Sequence, residues 1–230
     1  MRHLEHRKRR FDSVRTAVLL LALAGFLGIS IFSFDTVQAG ETEEWALILA
    51  NKQTPIPKDY EAELTFCDSA HEVDERIAKP LSQMIAAAGK DGVILEVCSA
   101  HRSYERQVEL FRNKIDGLMR SGLSYYEAYK TASYSVTVPG TSEHQLGLAL
   151  DIVTPGYTDL DAGFGETEAG KWLAENSADH GFILRYPLGK EHITGIIYEP
   201  WHFRYVGVKA AKEITKRGIT LEEYLEDIIQ

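Results

Sequence analysis

The stretch TSEHQLGLALDIV, residues 141–153, sets His144 and Asp151 seven positions apart, with mostly small and aliphatic residues between them. An aspartate in such a run is costly to bury unless something pairs with it. Read as a strand, GLALDIV turns Leu146, Leu148, Leu150 and Ile152 to one face and Gly147, Ala149 and Asp151 to the other. The first face is a core. The second is small, small, carboxylate, a floor with room above it, and His144 stands in the loop just before. A histidine and an aspartate offered to one space fit a metal ion. The same residues also fit a core aspartate bonded to backbone amides beside a solvated histidine.

A second stretch, EPWHFRYVG at 199–207, adds to the metal reading. Pro200 disfavours a central strand position, so pairing is expected to start after it. Trp201, Phe203 and Tyr205 then share one face, and His202 and Arg204 the other. Glu199 lies in the turn three residues before His202, where its carboxylate could reach back over the imidazole; a surface glutamate and a half-buried histidine is the plainer alternative. His144, Asp151 and His202 with a fourth position open describe a catalytic zinc site. Zinc lowers the pKa of a water it holds to about 7, and a nearby carboxylate, here Glu199, can take the proton. A third stretch, CSAHRSYERQ at 98–107, puts Arg102 between a strand and a helix N-terminus, a place suited to negative charge. Amide hydrolysis generates an oxyanion that Arg102 could meet; an ordinary surface ion pair is the alternative. Gln107 follows about one turn into the helix. His101 and His192 are spare metal candidates without a carboxylate at a telling spacing, and His71 and His180 read as surface positions.

The elements that must position these groups follow from periodicity. Residues 74–92 read as a helix with Leu81, Met84, Ile85 and Ala88 on one face, and VILEVCSA as a strand. Ser103 caps a helix whose stripe is Val108, Phe111, Ile115, Leu118 and Met119. TEAGKWLAENSADHG reads as a helix ended by Gly181, FILRYP as a strand, and the C-terminal region as two helices, the second behind a Thr220/Glu223 capping box. Strands and helices mix without regular alternation, so the expected class is α+β, with a small antiparallel sheet carrying the site and helices packed on it.

Residues 1–15 hold six basic and two acidic side chains, +4, which leaves −13 of the formal −9 for the rest of the 230-residue chain. An acidic body argues against a nucleic-acid partner. Residues 16–34, TAVLLLALAGFLGISIFSF, are an uncharged run of 19 residues, which as a helix would cover ~28 Å, close to a ~30 Å hydrocarbon core. The expected organisation is a basic cytoplasmic N-terminus at 1–15, a transmembrane anchor or signal segment at 16–34, a polar tether at 35–44, and one extracytoplasmic domain at 45–230. Val37-Gln38-Ala39 resembles a cleavage site, so a secreted form cut after Ala39 stays open beside a single-pass anchor. The two cysteines, Cys67 and Cys98, are too few for a scaffold; outside the cytoplasm they could form one bridge or remain two thiols.

Taken together, S-x-H-x-x-G-x-A-x-D at Ser142, His144, Gly147, Ala149 and Asp151, the E-P-W-H-F-R-Y-V-G run at 199–207, A-x-R-S-Y-x-x-Q at 100–107 and GFILRYPLGKEHITG at 181–195 resemble the VanY-type zinc D-alanyl-D-alanine carboxypeptidases of the LAS metallopeptidase group. The resemblance spans about residues 45–230. It implies zinc on His144, Asp151 and His202, Glu199 as general base, Arg102 at the substrate carbonyl or oxyanion, and Ser142, Gln107 and Tyr186 as substrate contacts. Ala100 and His101 stand where relatives often carry other residues. The implied reaction removes the terminal D-Ala of a peptidoglycan stem peptide. An L,D-carboxypeptidase or D,D-dipeptidase of the same family, a catalytically inactive wall-binding protein, and a membrane-anchored module with zinc only for stability are the other readings.

Overall fold

The computed structural model describes residues 43–229; the expected basic segment and apolar run, and most of the tether, lie outside them. Among the described residues no helix is long and apolar enough to cross a membrane. The architecture is α+β. A hairpin of β1 (Leu64–Phe66) and β2 (Glu72–Asp74) leads into helix α1 (Glu75–Lys90). Four strands, β3 (Glu96–Ser99), β4 (Ala149–Val153), β5 (Phe182–Leu184) and β6 (His202–Tyr205), form an antiparallel sheet in the order β3-β4-β6-β5. The remaining helices are α2 (Tyr104–Arg120), α3 (Tyr125–Ala132), α4 (Glu168–Asn176), α5 (Glu191–Thr194), α6 (Val208–Arg217) and α7 (Leu221–Ile229).

The helical repeat of α1 buries Ile77, Leu81, Met84 and Ala88 in one cluster with Leu148, Leu150, Ile152 and Phe203 of the sheet. This is the core face expected from strand alternation. Ile85 is only half-buried. A second cluster joins Ile183 and Val206 to Ala211 and Ile214 of α6 and Leu221 and Tyr224 of α7. The Thr220/Glu223 box forms: the Thr220 amide donates to Glu223 Oε2 at 2.8 Å and the Glu223 amide to Thr220 Oγ1 at 3.2 Å. Helix α3 was not expected. Its Ala128 and Ala132 pack on Phe111 and Ile115 of α2, and Ser124 with Glu127 closes a capping box at its start.

The apolar run at 45–51 begins as a 3-10 turn, Glu44–Leu47, and its carbonyls serve Arg204, whose Nη2 donates to Ala46 O and Ile48 O at 2.8 Å each. The bridge considered for Cys67 and Cys98 is not formed; both thiols are free. Each donates to a different carbonyl, Cys67 to His71 O at 3.3 Å and Cys98 to Asp151 O at 3.4 Å. Burial pushes the two thiols up, to about 11 and about 12.

Candidate metal centre

The site sits where β4 and β6 lie side by side. Their register pairs Leu150 with Phe203 and Asp151 with His202. Directly opposed residues share a face, so the core pair points one way and the aspartate and histidine the other. Asp151 Oδ1 lies 3.1 Å from His202 Nδ1. His144 arrives from a 3-10 turn, Glu143–Leu146, that ends at Gly147 in the left-handed region at φ +71°. A Cβ at Gly147 would meet the Asp74 amide nitrogen at 2.9 Å, where that amide donates to Gly147 O. Both the sharp turn and the close approach of β2 therefore require glycine. The turn brings His144 Nε2 to 3.3 Å from Asp151 Oδ2. One ligand atom from each of His144, Asp151 and His202 lies within 4.8 Å of the others, the one such cluster among the described residues. All three are nearly fully buried.

The surroundings suit a metal ion. His144 Nδ1 lies 2.7 Å from Ala100 O, so it carries the ring proton and leaves an Nε2 lone pair facing the cluster. For His202 the Nδ1 side faces the cluster. Two neutral imidazoles and a carboxylate are the donor set of three-ligand zinc sites. Burial drives His144 down, to about 4. Burial alone would also lower His202, but the carboxylates of Asp151 and Glu143 on its two sides prevail and raise it to about 9. Burial raises Asp151 as well, yet the two histidines and Arg102 hold its carboxyl well below the usual range.

Glu199 reaches the site from the turn before β6. Its amide donates to Tyr186 O at 3.1 Å, and its Oε2 comes within 3.8 Å of His202 Nδ1. It is 6% exposed. Burial pushes its carboxyl up to about 8, against the opposing pull of His202. Arg102 follows β3, capped into place by Nε donating to Ser99 Oγ at 2.9 Å and by an ion pair between Nη2 and Asp151 Oδ2. Above these groups opens a cavity of about 530 Å³ whose wall includes Arg102, Ser142, Tyr186, Glu199 and Trp201 besides the three cluster residues. The Tyr186 ring lies 4.8 Å from that of His202. Ser142 precedes the 3-10 turn without spending its hydroxyl on a cap.

Gln107 is placed differently from the other expected contacts. It is fully buried and does not line the cavity. Its amide donates to Thr137 O at 2.8 Å and Oγ1 at 3.2 Å, so it fixes the Ser135–Thr137 wall from behind. His101 faces a separate cavity with Tyr104 and Gln145, and His192 is exposed; neither joins the cluster. Sequence reasoning missed Glu143, Arg185 and Glu222. Glu143 Oε1 accepts from Arg185 Nε at 2.7 Å and lies 2.9 Å from Arg204 Nη1, and Arg185 clasps Glu222 with both terminal nitrogens, at 2.9 and 2.7 Å. Burial would raise the Glu143 carboxyl, but the two guanidiniums hold it far below the usual range. Neighbouring Arg204 had been assigned to the His202 face, which the register bears out.

A small antiparallel sheet that presents a buried His–Asp–His cluster, one carboxylate and one guanidinium to a single cavity defines a mononuclear metallohydrolase. The model of the family VanY, D-alanyl-D-alanine carboxypeptidase, matches residues 70–208, and the chain belongs to that family. It is 44% identical to a D-alanyl-D-alanine carboxypeptidase of Enterococcus faecalis (strain ATCC 700802 / V583), over 82% of this chain and 68% of the relative. Two solved structures of the VanY from the VanB-type resistance cassette, one of a variant with Zn(II) and one with D-alanine-D-alanine, align at TM-scores of 0.73 and 0.74. Both are 44% identical and cover 79% of this chain and 99% and 98% of theirs. The LdcB LD-carboxypeptidase aligns at 0.66 with 40% identity, covering 77% of this chain and 84% of its own.

Proposed function

We propose that this chain is a zinc-dependent D-alanyl-D-alanine carboxypeptidase that removes the terminal D-Ala from peptidoglycan stem peptides on the outer side of the cytoplasmic membrane. The observation that carries the reading is a buried His144–Asp151–His202 cluster sharing its cavity with the buried carboxylate of Glu199. Zinc held by those three residues supplies a Lewis acid for the scissile carbonyl and makes a water acidic enough to attack near neutral pH. Glu199 takes the proton from the attacking water and delivers it to the leaving amine as the C–N bond breaks. A cation held beside it favours the carboxylate, the form that accepts the proton. Arg102 stands on the cavity wall, where its charge offsets the oxyanion that forms on the carbonyl oxygen. Asp151 fixes that guanidinium through Nη2, and Ser99 through Nε. Ser142 and Tyr186 form the substrate-facing wall, and Gln107 supports the wall through Thr137.

The outward location is supported by the basic cluster at 1–15 and the apolar run at 16–34. A reporter active only outside the cytoplasm, fused after Gln230, is expected to be active; activity of a cytoplasmic reporter at the same point would refute the location. The specificity test is product analysis on three synthetic substrates, with and without chelator: a pentapeptide ending in D-Ala-D-Ala, the corresponding tetrapeptide, and the free dipeptide. The expected result is one D-Ala released from the pentapeptide, abolished by chelation and restored by zinc. Preferred cleavage of the tetrapeptide would assign L,D-specificity, preferred cleavage of the dipeptide a dipeptidase, and zinc content without turnover a binding role.

A further inference from the structure

Glu143 is adjacent to His144 in sequence, yet its carboxylate addresses the other histidine. Glu143 Oε2 and His202 Nε2 lie 3.7 Å apart. Both are buried atoms without a hydrogen-bond partner among the described residues. His202 turns its Nδ1 to the cluster, 3.1 Å from Asp151 Oδ1. An imidazole that gives Nδ1 to a metal carries its proton on Nε2, and that proton needs an acceptor. Glu143 Oε2 is the unsatisfied buried acceptor facing it, and a shift of a few tenths of an ångström makes the bond.

The aim of Glu143 is set from behind. Its Oε1 takes Arg185 Nε at 2.7 Å and sits 2.9 Å from Arg204 Nη1. Arg185 is anchored in turn on Glu222 of α7, and Arg204 on the carbonyls of Ala46 and Ile48. Two guanidiniums and two carboxylates balance in charge within this buried set. With Oε1 committed, only Oε2 is left for the histidine. An ionised carboxylate can only accept, so a proton on Nδ1 with a bare Nε2 facing Glu143 is disfavoured. Ala100 O does the same for His144 from the opposite ring nitrogen, at 2.7 Å. The two ligands are thus presented through different nitrogens, each by an acceptor on its far side.

We propose that Glu143, aimed by Arg185 and Arg204, is a positioning residue that holds His202 in the tautomer able to bind zinc through Nδ1. The proposal rests on the zinc reading of the site. Its test is Glu143→Gln in the full chain. The two guanidiniums keep the amide oxygen on their side, so the amide N–H points at His202 Nε2 and favours the tautomer that cannot bind. Zinc affinity, read by competition with a chromogenic chelator, is expected to fall about 10–100-fold. Glu222→Gln loosens the same buried set without touching His202; because it shares Arg185 with Glu143 it is expected to weaken zinc binding, but by clearly less than Glu143→Gln. An unchanged affinity in Glu143→Gln, or an equal loss in Glu222→Gln, overturns the proposal. Should Glu143→Gln not fold, ¹⁵N-histidine NMR of the zinc-loaded wild type decides: a slowly exchanging proton on His202 Nε2 supports the assignment, and zinc on Nε2 or a freely exchanging proton there overturns it. Peptidase turnover of the wild type is read on the same samples. Lost affinity in Glu143→Gln with no wild-type turnover refutes the peptidase reading alone, and unchanged affinity with turnover refutes this proposal alone. A wild type that binds no zinc refutes both.

Discussion

Replacing Glu199 by glutamine in the zinc-free protein should raise stability at alkaline pH. The carboxyl is pushed by burial from an ordinary 4.5 to about 8. Below pH 4.5 it is protonated in both folded and unfolded chains and contributes no pH dependence. Between 4.5 and about 8 the unfolded chain ionises while the folded chain holds its proton, so stability falls as pH rises through this window and levels off above it. At about 1.4 kcal/mol for each pH unit, the window is worth at most about 5 kcal/mol. Glutamine keeps the shape of the protonated acid and cannot ionise. Wild type and Glu199→Gln should therefore melt together near pH 5 and diverge by pH 8, the variant being higher by on the order of 10 °C, given roughly 2–4 °C per kcal/mol in a domain of this size. Calorimetry or circular dichroism of chelator-stripped protein from pH 5 to 9 reads the difference. Zinc should narrow it, because a nearby cation favours the carboxylate. A variant that melts in parallel with wild type across the range, or lower at pH 8, would refute a buried Glu199 held for proton transfer.

Two more outcomes follow from the fold. Gly147→Ala forces a Cβ to 2.9 Å from the Asp74 amide nitrogen at φ +71°, a backbone arrangement worth about 1–3 kcal/mol of strain, and because the same turn carries His144 it should weaken zinc binding as well as lower the melting temperature; normal zinc affinity would show the turn is not what places the ligand. Alkylation of unreduced, denatured protein followed by mass spectrometry should find both Cys67 and Cys98 modified, and a mass two protons short with no modification would establish the bridge.

The local arithmetic of the site was legible in the sequence because strand alternation has period two. Once Leu150 and Phe203 face a core, Asp151 and His202 must face away from it, and the observed register sets them opposite each other. That register was not legible, since it is fixed by elements more than forty residues apart. Gln107 stands apart from the other expected contacts for a different reason. It lies four residues before Phe111 and eight before Ile115 on the buried stripe of α2, so helical phase already pointed it inward, but the resemblance drew it to the substrate. Helix α3 carried a readable Ser124/Glu127 box that its short length obscured. The Glu143–Arg185–Arg204–Glu222 set was not legible as a set, because buried ion pairs obey no spacing rule; Arg185 and Arg204, each charged within a largely apolar stretch read as a strand, marked only the need for partners.

The central claim is that three residues hold zinc while a fourth, which does not, moves the proton. It is tested most directly by measuring zinc content and pentapeptide hydrolysis together in Glu199→Ala and His202→Ala. Glu199→Ala should keep about one zinc per chain, as expected for three remaining ligands, and lose at least ~10²–10⁴ in rate, the usual contribution of a positioned general base. His202→Ala should lose zinc and activity together. Near-normal turnover in Glu199→Ala, or loss of its zinc, would contradict the account.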